Sequence, residues 1–201
     1  MVKFYGTSKS RSARSLWALE ELGLKYEHIA TEVPKAKSPD HLKVNPNGHI
    51  PVLDDDGVIL WESLAINLYL AEKYGKNSLW PASVEDHGQT YKWSFWAITE
   101  LESHFLTLLS HKLFLPADQR DEKKATDAAN ALKAPLGVLD AALKGRDYLL
   151  GSSFSIADLN VAAVLMFGTY VKFDHSATPA LKAWLEKAYA RESFKKLRSI
   201  A

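Results

Sequence analysis

Two dipeptides, Ile50-Pro51 and Glu62-Ser63, flank an apolar hairpin and contain the residue types best suited to holding a ligand. Pro51 opens a strand, a position where the missing amide hydrogen is tolerated. An edge-strand proline and a cis peptide both fit here, and the trans form is the commoner one. A cis bond would turn the Ile50 amide and carbonyl outward, where an extended peptide can pair with them. The hairpin therefore offers a candidate backbone edge for ligand binding.

Glu62 and Ser63 begin the helix that follows the hairpin. One interpretation is helix capping, which favours short polar side chains at this position. The other is anion binding, because unpaired amides at a helix N-terminus bind a carboxylate and a serine hydroxyl adds one more bond. The neighbouring Glu62 carboxylate would then hold an ammonium group. Together they predict a receptor for the head group of an α-amino acid.

Basic and hydroxyl side chains surround these two dipeptides in the sequence. Lys37, Lys43 and His49 precede the hairpin, either as solvated side chains or as partners for a second carboxylate at the far end of a ligand. The segment TSKSRSARS (7–15) leads into a predicted helix over 12–23 that Ser12 would cap and Gly23 would end. A serine of this segment either caps the helix or donates to an anionic ligand atom.

Composition excludes several classes of function. The chain has no cysteine, which removes disulfides, thiolate zinc sites and thiol catalysis by the protein. Its net charge of +1 gives no general attraction to nucleic acid or to an anionic membrane. The seven histidines have no tight metal-ligand spacing, and no apolar run predicts a signal peptide or a membrane span. We therefore expect a cytoplasmic protein with no metal and with neither nucleic acid nor membrane as a partner.

The order of elements predicts an α/β domain followed by an all-helical one. Strand, helix and strand are followed by a proline-rich connector, then by the hairpin and the helix at 62–75. After residue 86 the patterns indicate helices only, over 86–110, 121–143, 155–170 and 178–190. Ser155 and Asp158 form a capping-box signature. The predicted domains are 1–77 and 86–201, joined by a linker at 78–85.

Five segments in this order resemble the cytosolic glutathione transferase family, in particular its serine-type bacterial theta- or phi-like members. They are FYG…SRSARSLWALEELGLKYE, AKSPDHLKVNPNGHIPVLDDDG, ESLAINLYLAEKYG, FSIADLNVAAVL and LKAWLEKAYARESFKKL. The resemblance covers almost the whole chain. It implies a thioredoxin-like N-terminal domain, an all-α C-terminal domain and a homodimer. It also implies glutathione as co-substrate and a hydrophobic co-substrate site between the domains.

The resemblance also assigns residues. It implies that Pro51 is a cis-proline, that the Ile50 backbone pairs with the cysteinyl part of glutathione, and that Glu62 and Ser63 hold the γ-glutamyl end. Lys37 and His49 match positions that, in plant-like members, hold the glycine end of glutathione or the backbone nearby. Counting back four residues from Arg14 gives Ser10 as the donor to the glutathione sulfur, with Ser8 and Ser12 as alternatives.

The predicted activity is conjugation of the glutathione thiolate to hydrophobic electrophiles in detoxification. Trp96, Phe105 and Phe114 are candidate walls for the electrophile site. Two alternatives stay open, namely reduction of organic hydroperoxides by the same thiolate and a non-catalytic interaction module with the same fold.

Overall fold

The computed structural model describes residues 1–76 and 78–200. It divides into two compact units, one of Met1–Ala82 with Tyr189–Ala201 and one of Ser83–Ala188. The end of the chain thus groups with the first unit, whereas the sequence placed it in the helical domain. Asn77, the predicted last residue of the first domain, lies outside the described residues.

A four-stranded sheet in the order β2-β1-β3-β4 forms the centre of the first unit. The strands are β1 (Val2–Gly6), β2 (Tyr26–Ala30), β3 (Val52–Asp55) and β4 (Val58–Trp61). β1 runs parallel to β2, and β3 is antiparallel to both β1 and β4. Val52 pairs with Tyr5 on one side and with Trp61 on the other. This register brings the ends of β1 and β4 and the start of β3 to the same end of the sheet.

Helices α1 to α3 belong to the same unit: α1 (Ser12–Glu21), the short α2 (Pro39–Leu42) and α3 (Ser63–Tyr74). A 3₁₀ turn at Val33–Lys37 precedes α2. α1 ends as the sequence predicts, because Gly23 adopts a φ of +62° that an L side chain rarely accepts. The Gly23 amide donates to the Glu20 carbonyl and the Leu24 amide to the Leu19 carbonyl, a Schellman arrangement.

A buried carboxylate ties α3 to the sheet. Asp55 accepts hydrogen bonds from the Tyr69 hydroxyl at 2.8 Å, the Lys73 ammonium at 2.6 Å and the Tyr74 hydroxyl at 2.9 Å. Burial by itself would raise the pKa of the Asp55 carboxyl, but these three donors outweigh it and hold that pKa below its usual value. The ionised form of Asp55 therefore stabilises the fold.

The last helix, α10 (Glu192–Ser199), packs against α1. The Trp17 ring meets the Phe194 ring edge to face, with centroids 4.8 Å apart, and its indole N–H donates to the Ser193 hydroxyl at 3.0 Å. The guanidinium of Arg191 donates to both oxygens of Glu21. These contacts explain why the end of the chain belongs to the first unit.

The second unit contains helices only, within the residues described. They are α4 (Val84–Trp96), α5 (Ser103–Leu109), α6 (Glu122–Ala131), α7 (Lys133–Leu143), α8 (Ile156–Tyr170) and α9 (Pro179–Tyr189), of which the last residue belongs to the first unit. π-helical turns at Ala97–Glu102 and Ser110–Phe114 continue α4 and α5. The single helix predicted over 121–143 is two helices that meet at Leu132. No helix in the described residues is long and apolar enough to cross a membrane.

The capping box predicted at the start of α8 is confirmed. The Asp158 carboxylate accepts from the Ser155 amide at 3.0 Å and the Ser155 hydroxyl at 2.8 Å. It also accepts from the Leu149 amide at 2.8 Å and the Trp184 indole at 2.9 Å. Burial raises the pKa of this carboxyl. Asp158 thus joins three segments of the helical unit.

Candidate functional site

One end of the sheet gathers most of the sequence-predicted site residues. Val52 pairs with both Tyr5 and Trp61. The residues that follow β1, precede β3 and follow β4 in the chain therefore lie at the same end of the sheet. They are the loop after β1 with Ser8 and Ser10, the Ile50-Pro51 dipeptide before β3, and the Glu62-Ser63 dipeptide after β4. Strand register alone therefore brings together residues as far as 55 positions apart in the sequence.

The Ile50-Pro51 peptide bond is cis, as the resemblance implies. The loop before it is braced at the His49 carbonyl, which accepts from His41 Nε2 at 2.8 Å and from Asn45 Nδ2 at 2.9 Å. The Ile50 amide and carbonyl form no hydrogen bond with any residue in the described part of the chain. A rigid loop thus presents one unused backbone donor and acceptor.

Lys37 lies against the same loop. Its ammonium donates to the Asn47 carbonyl at 2.9 Å, and its side chain passes over Gly48. Gly48 has a φ of +62°, and a Cβ added there would lie 2.7 Å from the Lys37 Cδ. Lys37 and His49 are both exposed, whereas the Lys43 ammonium is paired with Asp40 at 2.7 Å. Lys37 and His49 thus remain available beside Ile50.

Glu62 adopts a strained backbone conformation at the start of α3, with φ of +72° and ψ of 110°. Such conformations cost about 1–3 kcal/mol and cluster at functional sites. Its side chain is exposed and makes no hydrogen bond or ion pair with a described residue. The first amides of α3 have no acceptor within the helix. Carboxylate and helix end therefore lie side by side, as the head-group hypothesis requires.

Ser63 is buried, and its position is set from α1. Its hydroxyl accepts from Arg14 Nη1 at 3.4 Å, and its carbonyl accepts from the Ser15 hydroxyl at 3.1 Å. Arg14 is itself only 1% exposed. This role of Arg14 was not predicted from the sequence. Its signal in the sequence was a single arginine within residues 12–19, a segment otherwise made of small and apolar residues.

The three candidate serines have different surroundings. Ser12 is fully buried, whereas the Ser8 hydroxyl donates to the Ile200 carbonyl at 2.8 Å. Ser10 is partly exposed, and its hydroxyl lies 2.9 Å from both the Thr7 carbonyl and the Ser12 hydroxyl. The prediction that Ser12 caps α1 is wrong, because the Ser10 oxygen accepts from the Ser12 amide at 3.1 Å. Ser10 is thus a partly exposed serine just before the first turn of α1.

The candidate wall residues differ from one another. Phe105 is wholly buried in the helical unit, where its ring packs against that of Phe173 with centroids 5.6 Å apart. It is therefore unavailable to line an open site. Phe114 is 66% exposed, and Trp96 is partly exposed and packs edge to face on Trp93.

Within the described residues, no group of three or more histidine, aspartate or glutamate side chains could hold a metal ion.

Comparison with known proteins agrees with this geometry. The family model for the glutathione S-transferase N-terminal domain matches residues 1–72, and that for the C-terminal domain matches residues 97–192. Glutathione S-transferase GstB of Escherichia coli strain K12 is 31% identical over 202 residues, covering 98% of this chain and 97% of the relative. The probable glutathione S-transferase GSTF1 of Oryza sativa subsp. japonica is 33% identical, covering 99% and 96%.

A solved structure extends the match to three dimensions. The theta class glutathione S-transferase of Xanthomonas axonopodis pv. citri, crystallised with glutathione bound, superposes with a TM-score of 0.88 at 26% identity. The superposition covers 97% of this chain and 95% of the other. The chain belongs to the glutathione S-transferase family. It is an enzyme with the two-domain fold of that family, so the non-catalytic alternative is set aside.

Proposed function

We propose that this enzyme transfers the thiolate of glutathione to hydrophobic electrophiles, with glutathione extended along the backbone edge before β3. The observation that carries the proposal is the gathering of the unpaired Ile50 backbone, the exposed Glu62 carboxylate and the first turn of α3 at one end of the sheet. A tripeptide with an amino acid head group matches each of these features. The glutathione bound to the Xanthomonas relative supports the same ligand.

Each part of glutathione has a partner in this proposal. The cysteinyl backbone pairs with the Ile50 amide and carbonyl, as in strand addition. The γ-glutamyl ammonium binds Glu62, while its carboxylate binds the amides at the start of α3 beside Ser63. The glycine carboxylate lies near Lys37 and His49. The Lys37 ammonium has three donor hydrogens, so its bond to Asn47 leaves two for the ligand.

Ser10 is the residue we assign to thiol activation. A hydroxyl just before the first turn of a helix donates to an anion in a region of positive potential, which favours the thiolate over the thiol. Each unit by which the thiol pKa falls corresponds to about 1.4 kcal/mol of preference for the thiolate. The partial exposure of Ser10 supports this choice over Ser12, which is buried. Its position supports the choice over Ser8, because Ser10 lies closer to the start of α1 and its oxygen accepts from the Ser12 amide.

The same thiolate would attack the oxygen of an organic hydroperoxide. Conjugation and hydroperoxide reduction are therefore assayed in parallel on the same preparation of enzyme. The proposal requires faster turnover of an aryl halide than of cumene hydroperoxide. The reverse order would make peroxide reduction the main activity.

The assignment of Ser10 is tested by the pH dependence of conjugation to an aryl halide. We expect Ser10→Ala to raise the pKa of bound glutathione by at least about one unit, which lowers kcat about 10-fold below that pKa. The KM for glutathione should stay nearly constant, and the rate should recover at high pH. Ser8→Ala is the matched control and should leave the profile unchanged. An unaltered profile for Ser10→Ala would remove Ser10 from the mechanism.

We also propose a cytoplasmic homodimer that acts in detoxification. The edge strand β4 supports self-association, because it exposes Val58, Ile59 and Trp61. Sedimentation equilibrium tests whether the enzyme is a homodimer. A monomer at micromolar concentration would contradict it.

A further inference from the structure

Helix α2 has an inverted pattern of burial. It is only four residues long, and within it the apolar Leu42 is 38% exposed whereas His41 is 6% exposed. Leucine is among the residue types most often buried, and histidine is intermediate. Packing alone would favour the opposite arrangement. The buried ring of His41 therefore has a role that the apolar contacts of α2 do not explain.

The His41 ring is held in one orientation by several contacts. Its backbone amide donates to the Ser38 hydroxyl at 3.3 Å, and its carbonyl accepts from the Asn45 amide at 2.9 Å. The ring meets the Tyr5 ring edge to face, with centroids 6.2 Å apart. The ring nitrogen Nε2 lies 2.8 Å from the His49 carbonyl oxygen. Since a carbonyl oxygen can only accept, Nε2 carries a hydrogen and donates it.

The carbonyl that accepts this bond belongs to the same peptide group as the Ile50 amide. This peptide group is trans and planar, so its carbonyl and its N–H point in opposite directions. Holding the His49 oxygen on one side therefore aims the Ile50 N–H toward the other. Asn45 Nδ2 donates to the same oxygen at 2.9 Å. Such bonds also polarise the peptide group, by about 10–30% per bond, which makes the N–H a stronger donor.

We propose that His41 is a positioning residue for glutathione, which acts through the His49 carbonyl and the Ile50 amide without touching the ligand. This inference rests on the proposed function, in which the Ile50 amide pairs with the cysteinyl part of glutathione. It adds that the affinity for glutathione depends on a buried hydrogen bond from α2. Activation of the thiol does not depend on this bond, because the proposed activator Ser10 lies in a different loop.

Two substitutions separate the hydrogen bond from the packing of the ring. His41→Phe keeps a ring against Tyr5 and removes the donor, whereas His41→Gln keeps a donor and removes the ring. Isothermal titration calorimetry with S-methylglutathione measures both variants. His41→Phe should weaken binding about 3- to 10-fold, and His41→Gln should stay within about 2-fold of the unmodified enzyme. A role in packing alone predicts the reverse order.

Steady-state kinetics should show a loss of binding without a loss of chemistry. In His41→Phe the KM for glutathione should rise about 3- to 10-fold, while kcat and the pKa of the bound thiol stay nearly constant. His111→Phe is the matched control, because His111 Nδ1 also bonds a backbone group, the Asp121 amide at 3.1 Å, but lies in the helical unit. It should leave the KM unchanged. Circular dichroism establishes which variants are folded.

A truncated ligand tests the route through the Ile50 amide. S-methyl γ-glutamylcysteamine lacks both the cysteinyl carbonyl and the glycine, so it offers the Ile50 N–H no acceptor. Its affinity is measured by competition with glutathione. Because the coupled group is missing from the ligand, His41→Phe and the unmodified enzyme should bind it equally well.

Full affinity for S-methylglutathione in His41→Phe, or a loss in His41→Gln as large as that in His41→Phe, would overturn the role of His41. If His41→Phe does not fold, His41→Gln decides alone, because a loss of more than about 3-fold in this variant would overturn the proposal. An equal loss for the truncated ligand would also overturn it. Failure of the unmodified enzyme to bind S-methylglutathione would instead contradict the proposed function itself.

Discussion

Arg14 Nη1 lies 3.4 Å from the hydroxyl oxygen of Ser63, and both side chains are buried. This contact joins the first turn of α1 to the first residue of α3. The two helix ends therefore form one unit beneath the proposed glutathione site, although Arg14 and Ser63 lie 49 positions apart in the sequence.

This relationship predicts coupled effects on glutathione binding. Arg14→Lys and Ser63→Ala should each weaken glutathione binding about 5- to 10-fold, because the first change releases the Ser63 hydroxyl from its fixed position and the second removes that hydroxyl. The double variant should lose less than the sum of the two, by about 0.5–1 kcal/mol. Isothermal titration calorimetry measures all four proteins. Strictly additive losses would mean that Arg14 does not position Ser63.

Asp55 predicts a specific acid sensitivity. Its pKa is lowered in the folded state, so its stabilising effect is complete above the unfolded pKa of about 3.9 and is lost as the pH falls through the folded pKa. Asp55→Asn should lower the free energy of unfolding by about 2 kcal/mol at pH 7. The difference from the unmodified protein should shrink below about pH 4.

Urea unfolding across this pH range provides the measurement. Asp118→Asn is the control, because Asp118 is exposed and has no partner among the residues described. A constant difference between the unmodified protein and Asp55→Asn down to pH 2 would contradict the role of the ionised carboxylate.

Asp158 should matter more for stability than an exposed helix cap. Asp158→Ala leaves the buried Leu149 amide and Trp184 indole without their acceptor, a loss of about 3–5 kcal/mol. Asp121 caps α6 from the surface through the Lys124 amide, so Asp121→Ala should cost only about 1 kcal/mol. Urea midpoints compare the two variants. Equal losses would show that burial adds nothing to the capping box.

Gly48 predicts a link between loop geometry and glutathione affinity. Gly48→Ala places a methyl group 2.7 Å from the Lys37 Cδ and should both destabilise the fold by about 1–2 kcal/mol and weaken glutathione several-fold. Gly57→Ala is the control, since Gly57 has a φ of +91° but open space around its Cβ position. Gly57→Ala should lower the free energy of unfolding through its positive φ and leave the affinity for glutathione unchanged. Comparable losses of glutathione affinity in both variants would mean that the contact between residue 48 and Lys37 does not affect glutathione binding.

Local signals explain what the sequence predicted correctly. Gly23 and the Ser155–Asp158 pair each act over a few residues, so their patterns are visible without tertiary structure. The resemblance supplied what local patterns could not, namely the cis bond before Pro51.

The remaining features depend on long-range packing. The donors to Asp55 lie 14 to 19 residues away on α3, and no local pattern in the sequence marks them. The burial of Arg14 depends on the packing of α3 against α1, which the sequence pattern does not reveal. The break between α6 and α7 at Leu132 does have a local signal, because Pro135 has no amide hydrogen to donate to the Ala131 carbonyl, but the prediction of one helix over 121–143 did not use it.

The packing of α10 on α1 determines the order in which the chain can fold during synthesis. The first unit cannot cover Trp17 until Ser193 and Phe194 have left the ribosome. The helical unit lies between these segments in the sequence and is complete earlier. Domains usually fold from the N-terminus onward during translation, but here the middle of the chain is ready first. A polypeptide released before residue 189 would present the uncovered indole of Trp17 to chaperones and proteases.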